Sequence, residues 1–336
     1  MKVLITGGAG FIGSTIASAC ADDGITPVIL DNLVTGRREF AAPHAFYEGD
    51  IADGDLIDKV FAEHRDIYAV IHCASLIVVP ESVANPLAYY SNNLAGSIAL
   101  LGHLARNRCD RLIFSSSASI YRPSEDDFTV DEDSPLAPAS PYAHTKAMAE
   151  QILKDTATAG GPRSMSLRYF NPIGADPQLR TGLQVLKPTH ALGRMIDAHH
   201  SGQKFTITGT DWPTPDGTCV RDYVHVWDLA DAHLRALHRF DQVLPTDGTD
   251  RHQVIILGAG KATTVRELVN AFGEVTGRPL PVVETARRPG DTVGAYSRST
   301  RAKDLLGWEP QHTITDGIRD SLRWYDKRDT LLTADG

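Results

Sequence analysis

"KVLITGGAGFIGSTIASACADDG" (residues 2–24) is the stretch whose reading decides the fold. Its opening residues, KVLIT, read as a buried strand of apolar and β-branched side chains. "TGGAGFIG" follows, with Gly7, Gly10 and Gly13 spaced three apart, and then a helical pattern through "FIGSTIASACADDG". Glycines in this order permit a tight turn, close approach of backbone to a pyrophosphate, and close packing of helix on strand. The helix start then offers free N–H groups and the positive end of its dipole to the phosphates. A glycine trio alone is a weak signal. Placed directly after a first strand, with Asp31 ending the second, it reads as a dinucleotide site.

Asp31 also chooses between dinucleotides. Its carboxylate accepts from a ribose 2′-OH and repels a 2′-phosphate, which favours NAD over NADP, although Arg37 and Arg38 stand close behind. Asp50, in "EGDI", can reach an adenine or simply form a turn.

Working outward, "TPVIL" (26–30), "AFYEG" (45–49), "YAVIHCA" (68–74) and "RLIFSSS" (111–117) read as further strands, with helical stretches between them. In "SNNLAGSIALLGHLARNR" (91–108), Leu94, Ile98, Leu101 and Leu104, with Ala105, form one apolar stripe. That stripe suits either burial against a sheet or a dimer face. Strand–helix alternation with short connections implies an α/β, doubly wound (Rossmann-type) parallel sheet covered on both faces. From about Asn171 the texture turns rich in Pro, Gly and Asp, so a smaller, loop-rich C-terminal region is expected. The expected division is a dinucleotide-binding domain over 1–170, rejoined by segments at about 222–260, and a mainly substrate-binding domain over 171–330. "HQVIILGAG" (252–260) is strand-like again, and "TVRELVNAFGEVTG" and "ITDGIRDSLRWYDKR" are helical patterns.

The bulk numbers narrow the classes. The 336 residues carry 33 basic and 42 acidic side chains, for a net charge of −9, and no basic block, so nucleic acid is a poor partner. No apolar run has the length of a membrane span, and the start "MKVLITGGAG" has no signal-peptide layout. Cys20, Cys73, Cys109 and Cys219 are scattered, without metal or disulfide spacing, which fits a reducing cytoplasm. "EHRD" (63–66) lacks the context of a kinase loop, "AHH" (198–200) lacks zinc-helix spacing, and His72 reads as a packing residue at a strand end; no metal site is expected.

"SPYAHTKAMAE" (140–150) reads as a helix start, with Ser140 as the hydroxyl cap and Pro141 at the first helical position. Four residues apart on one helix face, Tyr142 and Lys146 point the same way. Three features then stand together: the glycine loop, "FSSSASIY" (114–121) ending a later strand, and Tyr142–Lys146. This constellation resembles the extended short-chain dehydrogenase/reductase family. "LRYFNPIGA" (167–175), "DGTCVRDYVHVWDLADAH" (216–233) and "RRPGD" (287–291) are similar to its UDP-glucose (UDP-galactose) 4-epimerases, and the resemblance runs from Lys2 to about Trp324.

The resemblance implies an isomerase that uses NAD to oxidise a UDP-hexose transiently at carbon 4 and return the hydride to the other face. It implies Tyr142 as base, Lys146 lowering its pKa, and Ser117 relaying the proton. Matching the cofactor site are Gly7, Gly10, Phe11, Ile12, Asp31, Asn32, Asp50, Ile51, Ala74, Asn93 and Tyr169, besides Tyr142 and Lys146. Matching the UDP-sugar site are Asn171, Arg221, Arg288 and Asp291, besides Ser117 and Tyr142; a homodimer is implied as well. A free phenol titrates near 10, so ionising Tyr142 near neutral pH takes roughly 4 kcal/mol. One ammonium about 6 Å away supplies roughly 3 kcal/mol. The cationic nicotinamide ring has to make up the rest.

Each carried-over residue has a plainer reading beside it. Ser117 can be a strand-end serine bonded to backbone, Arg221 an ion pair with Asp222, and Asn171 a loop starter before proline. The chain departs from the family at Ile77, Arg122, His190 and Arg298. Ala295 stands where bulk in relatives limits the sugar's 2-substituent, which leaves room for an N-acetyl group. A 4,6-dehydratase needs a carboxylate beside the catalytic hydroxyl, and Ala118 stands there; a decarboxylase of the same fold is disfavoured likewise. Remaining alternatives are a 4-epimerase for UDP-N-acetylglucosamine, UDP-glucuronate or a UDP-pentose, and a non-catalytic NAD-binding sensor or scaffold.

Overall fold

A computed structural model describes residues 1–287 and 292–332. Seven strands form its central sheet: β1 (Lys2–Thr6), β2 (Thr26–Asp31), β3 (Ala45–Glu48), β4 (Ile67–His72), β5 (Arg111–Ser117), β6 (Arg163–Tyr169) and β7 (His252–Leu257). They lie in the order β7-β6-β5-β4-β1-β2-β3, and every neighbouring pair is parallel. The chain winds one way from β1 to β3 and the other way from β4 outward. A crevice therefore opens at the carboxyl ends of β1 and β4, where doubly wound sheets bind ligands.

Helices cover both faces: α1 (Phe11–Asp22), α2 (Gly54–Glu63), α3 (Gly96–Arg106), α4 (Pro141–Thr158) and α5 (Val226–His238). Alternation along each strand sorts its side chains between the two cores. Val3, Ile5, Ile29, Ile71, Met165 and Ile255 pack with α1 and α5. Leu4, Val28, Val70, Leu112 and Phe114 pack with α2, α3 and α4. Each such side chain contributes about 1.5–3 kcal/mol on burial.

"RSMSLRY" (163–169) is not an evident strand in the sequence, because serine and arginine interrupt its apolar residues. It is a central strand here: Met165 and Leu167 enter one core, while Arg168 is paired on the opposite face. The stripe expected in 91–108 is also corrected. Tyr90–Ala95 is a π-helical turn ahead of α3, and a turn of that kind shifts the phase of the helix after it. The buried face of α3 becomes Gly96, Ser97, Leu100, Leu101 and Leu104. Ala105 is exposed, and Ile98 is 49% exposed.

Outside the large sheet the strands are short. Thr129–Val130, Gly294–Ser297, Val220–Arg221 and Thr263–Thr264 make one small sheet, while Asn171–Ile173 pairs with Tyr223–His225. A separate core of Ile173, Leu192, Met195, Phe205, Ile207, Leu268, Phe272 and Ile318 lies among them. The chain crosses between these parts more than once: Thr129 and Val130 from the first half pair with Tyr296 and Ser297, and β7 with α5 returns to the large sheet. Among the described residues no helix is long and apolar enough to cross a membrane.

Candidate active site

The glycine turn is built so that side chains would not fit. Gly7 has φ +70°, and a Cβ there would stand 2.5 Å from the Ala74 backbone nitrogen. The end of β4 therefore presses on the turn and carries Ala74 to it. A Cβ on Gly13 would lie 2.3 Å from the Gly7 carbonyl oxygen, so α1 sits directly on the turn. Gly10 caps α1 without any side-chain hydrogen bond, which leaves the N–H groups of Phe11 and Ile12 at an open helix start. This cradle fits a pyrophosphate.

Asp31, buried at the end of β2, accepts from Ala9 N at 2.9 Å and Leu33 N at 2.8 Å. It thereby ties the glycine turn to the next loop, and burial raises its carboxyl pKa while those two N–H groups oppose the rise. Each carboxylate oxygen retains a second lone pair for a ribose hydroxyl. Arg38 is paired with Glu48, so its guanidinium is committed away from a 2′-phosphate. Asn32 donates to Asp50 at 3.3 Å, and Asp50 also accepts from Ala52 N at 2.9 Å, so the turn role of Asp50 is real. The Ile51 side chain is buried in the core beneath Gly96, so only its backbone is free for a ligand contact.

Asn93 is a bracket. Its amide accepts from Leu76 N and Asn92, and donates to the Leu76 carbonyl and to Thr145 Oγ1. Both donors and both lone pairs of that amide are engaged, so it shapes the 74–78 loop that closes over the turn. Thr145 in turn donates to the Tyr142 carbonyl at 2.7 Å. His72 is held between Thr6 and Ser97, and burial keeps it neutral by lowering its pKa to about 3.

Across the crevice, Ser140 caps α4 by accepting from Ala143 N at 3.2 Å, with Pro141 in the first turn. Tyr142 and Lys146 project from one face of that helix. Lys146 is buried, donates to the Ser115 carbonyl at 2.8 Å, and its Nζ stands 5.9 Å from the Tyr142 ring centre. Burial pulls its pKa down to about 8. The Tyr142 phenol moves the other way: burial raises its pKa, and the Ser117 hydroxyl opposes the rise. In the protein alone the phenol is thus held above its ordinary range, in keeping with the expectation that Lys146 by itself falls short of ionising it. Ser117 Oγ donates to Ser119 Oγ at 2.9 Å and accepts from Ser119 N at 3.2 Å. It caps the turn after β5 as well as facing Tyr142. Tyr169 ends β6 beside Ser115 and Cys73, its pKa raised by burial.

Toward the small sheet, Arg221 donates to the carbonyls of Val220 at 2.7 Å and Val293 at 3.3 Å. It is not paired with Asp222, whose carboxylate accepts from the N–H groups of Ala259, Gly260 and Ser297. Neighbours along a strand point to opposite faces; that alternation separates the two charges. Asn171 stands on the strand that pairs with Tyr223–His225, its N–H bonded to the Asp222 carbonyl at 3.1 Å. Ala295 is the register partner of Arg221 and packs against the cluster of Ala118, Ile120, Tyr121, Val130, Ala143 and Ile256. Arg288 and Asp291 lie outside the described residues. Of the departures, Arg298 pairs with Asp131 at 2.9 Å, His190 caps the helix Ala191–Ser201, and Ile77 is exposed.

Sequence reasoning missed a buried polar cluster behind the site, comprising Ser116, Tyr121, Glu150 and Arg168. The spacing Tyr142, Lys146, Glu150 was its legible signal, since residues four apart share a helix face.

The chain matches the family described as NAD dependent epimerase/dehydratase over residues 3–248. A curated relative, the UDP-glucose 4-epimerase of Azospirillum brasilense, is 44% identical over 327 residues, spanning 96% of this chain and 91% of the relative. Among solved structures, the UDP-glucose 4-epimerase of Stenotrophomonas maltophila with bound NAD and formylated UDP-arabinopyranose is similar at TM-score 0.89 and 36% identity, covering 97% of this chain and 98% of that one. The UDP-glucose 4-epimerase of Bifidobacterium longum in complex with NAD+ and UDP is similar at TM-score 0.88 and 33% identity, with coverage of 97% and 98%.

Proposed function

The chain belongs to the NAD dependent epimerase/dehydratase family, and from that premise we propose that it interconverts UDP-galactose and UDP-glucose by NAD-dependent 4-epimerisation. The observation that carries this reading is a convergence at one crevice. An open helix start over a glycine turn faces Tyr142, Lys146 and Ser117 across the carboxyl ends of β1, β4 and β5. In this reading residues 1–170, with α5 and β7, hold the dinucleotide, and the 171–330 region holds most of the UDP-sugar.

Gly7, Gly10, Phe11, Ile12 and Ala74 would border the pyrophosphate, with Asp31, Asn32, Asp50 and Ile51 toward the adenosine. Asn93 and Tyr169 frame the nicotinamide end. NAD, when bound, supplies the oxidising and reducing chemistry at carbon 4. Tyr142 takes the proton of the sugar's 4-hydroxyl, Ser117 bonds the 4-oxygen and relays that proton, and Lys146 holds positive charge beside the phenolate. The 4-keto sugar turns over between the two transfers. Arg221 suits the diphosphate by its planar donors and Asn171 would border the rest of the UDP-sugar; Arg288 and Asp291 are assigned to the same ligand by resemblance alone.

Incubating the purified protein with UDP-galactose, without added NAD, tests the reading. UDP-glucose is the expected product, with no net oxidation; absence of any 4-epimer across a panel of UDP-sugars would favour a scaffold. UDP-N-acetylglucosamine belongs in that panel, because Ala295 is a small side chain between Arg221 and the Ala118 turn. Detectable turnover is expected, and Ala295→Tyr should remove it while UDP-galactose turnover survives within a few-fold. Loss of both activities together would show that Ala295 does not gate the 2-substituent.

The same reading places a second copy on α3 and α4, where Ile98 is 49% and Met148 43% exposed. Light scattering should then give twice the chain mass, and a monomer at micromolar concentration would exclude the homodimer. Four free cysteines, three of them buried, suit a reducing cytoplasm; a secreted chain would contradict that placement.

A further inference from the structure

Ser117, Lys146 and Tyr169 of the proposed site each have a neighbour in a second, buried set. Ser116 precedes Ser117, Arg168 precedes Tyr169, Tyr121 ends the turn that Ser117 caps, and Glu150 lies one helical turn beyond Lys146. These four side chains are bonded to one another. Arg168 Nε reaches both Glu150 oxygens at 2.9 and 3.1 Å, and its terminal nitrogens bind Glu150 and the Tyr121 hydroxyl. Ser116 donates to Glu150. All are nine-tenths or more buried.

We propose that the Glu150–Arg168 ion pair is the positioning device that sets Tyr142 and Lys146 at working distance from Ser117. The inference rests on the assignment of those three residues above. A buried ion pair adds little net stability compared with apolar residues of similar volume, and its best use is to specify one arrangement. Here the arrangement is geometric. α4 touches the sheet through side chains one turn apart: Lys146 on the Ser115 carbonyl, then Glu150 on Ser116 and Arg168. A helix held by apolar contacts alone could slide or roll by a fraction of a turn. The fork of Arg168 on Glu150 accepts one height and one roll. Since Ser115, Ser116 and Ser117 are consecutive on β5, fixing Glu150 over Ser116 fixes Tyr142 relative to Ser117.

Charge acts in the same direction. Glu150 raises the Lys146 pKa against the pull of burial, helping the lysine to stay cationic. Among the described residues, Glu150 is paired with Arg168 on β6 and acts on Tyr121 and on His252 of β7, while Lys146 is also faced by Cys73, which likewise raises its pKa, by His72 at the end of β4 and by Tyr142 on its own helix. His252 is kept neutral by burial, its pKa lowered to about 4.

Glu150→Gln, which keeps the shape and removes the charge, tests the inference in the full chain. The expected result is a fall in kcat of about 10- to 100-fold with KM for UDP-galactose within about threefold, and an alkaline limb of the kcat profile moved to lower pH. A variant that only melts earlier, with kcat and its pH profile unchanged, would reduce the pair to a structural contact and overturn the proposal. Should the single variant fail to fold, the double variant Glu150→Leu/Arg168→Met removes both charges together and leaves neither buried alone. Folded and slow, it supports the inference; folded and as fast as the unaltered protein, it overturns it. Tyr142→Phe assayed in parallel separates the two layers: activity surviving there defeats the site assignment, whereas activity surviving only in the Glu150 variants defeats the positioning role alone.

Discussion

Tyr142→Phe is expected to lower kcat by about 10³-fold while UDP binding changes by no more than a few-fold. Removing a general base costs typically 10²- to 10⁴-fold. Only the phenolic oxygen is lost, so the ring keeps its place on α4 beside Lys146. Melting temperature should stay within a few degrees, because burial already raises the phenol's pKa and its hydroxyl is a desolvated polar group. Steady-state kinetics with UDP-galactose, together with UDP titration by calorimetry, checks both halves. A variant with the kcat of the unaltered protein would remove Tyr142 from the chemistry.

Lys146→Met is the second large effect, and its two readouts run in opposite directions. Activity should fall by about a hundredfold or more, since an ammonium about 6 Å from a phenolate contributes roughly 3 kcal/mol to forming it. Stability at neutral pH should rise. Burial lowers the Lys146 pKa from 10.5 to about 8, so keeping the lysine charged in the folded protein costs about 3 kcal/mol at pH 7. The lost bond from the ammonium to the Ser115 carbonyl offsets roughly 1.5–3 kcal/mol, so the net gain is small.

The sign in pH follows from the same shift. Below pH 8 the folded protein bears the full cost of the buried charge. Between pH 8 and 10.5 the unfolded chain binds the extra proton, so the unaltered protein gains stability as pH rises. The advantage of Lys146→Met should therefore shrink over that window. Denaturant titrations at pH 7 and pH 10 measure it; a variant less stable than the parent at pH 7 would contradict the burial argument.

The legible part of this molecule was the part written in short, local patterns. KVLIT followed by Gly7, Gly10 and Gly13 specifies a strand, a turn and a helix within two dozen residues, and the observed turn leaves no room for a Cβ at Gly7 or Gly13. Ser140–Pro141 marked the start of α4 for a local reason as well, since capping needs only the next three residues. What escaped was set by tertiary partners. β6 carries serines and arginines that suit a strand only because Glu150 on α4, Asp110 ahead of β5 and Asp241 supply their counter-charges. The π turn at Tyr90–Ala95, which exposes Ile98, has no sequence mark of its own.

Among the proposed site residues, the adjacency of Tyr142 and Lys146 on one helix face was legible through spacing, and Ser117 was singled out by resemblance. The actual surroundings of Arg221, Asn93 and Ile51 were not, because a sequence does not say which hydrogen bonds a side chain has already made. The direction of the Tyr142 shift was likewise hidden, since desolvation depends on the packing of α4 against β5 and β6.

Those opposing shifts make the central claim measurable. With burial raising the phenol and Lys146 supplying only about 3 of the roughly 4 kcal/mol needed, the positive nicotinamide ring has to complete the ionisation of Tyr142. The direct measurement is the ultraviolet titration of that phenol, taken as the difference between the unaltered protein and Tyr142→Phe, first with NAD+ bound and then with NADH. The account predicts an apparent pKa near neutrality with NAD+ and a clearly higher one with NADH. Equal values in the two forms would contradict it.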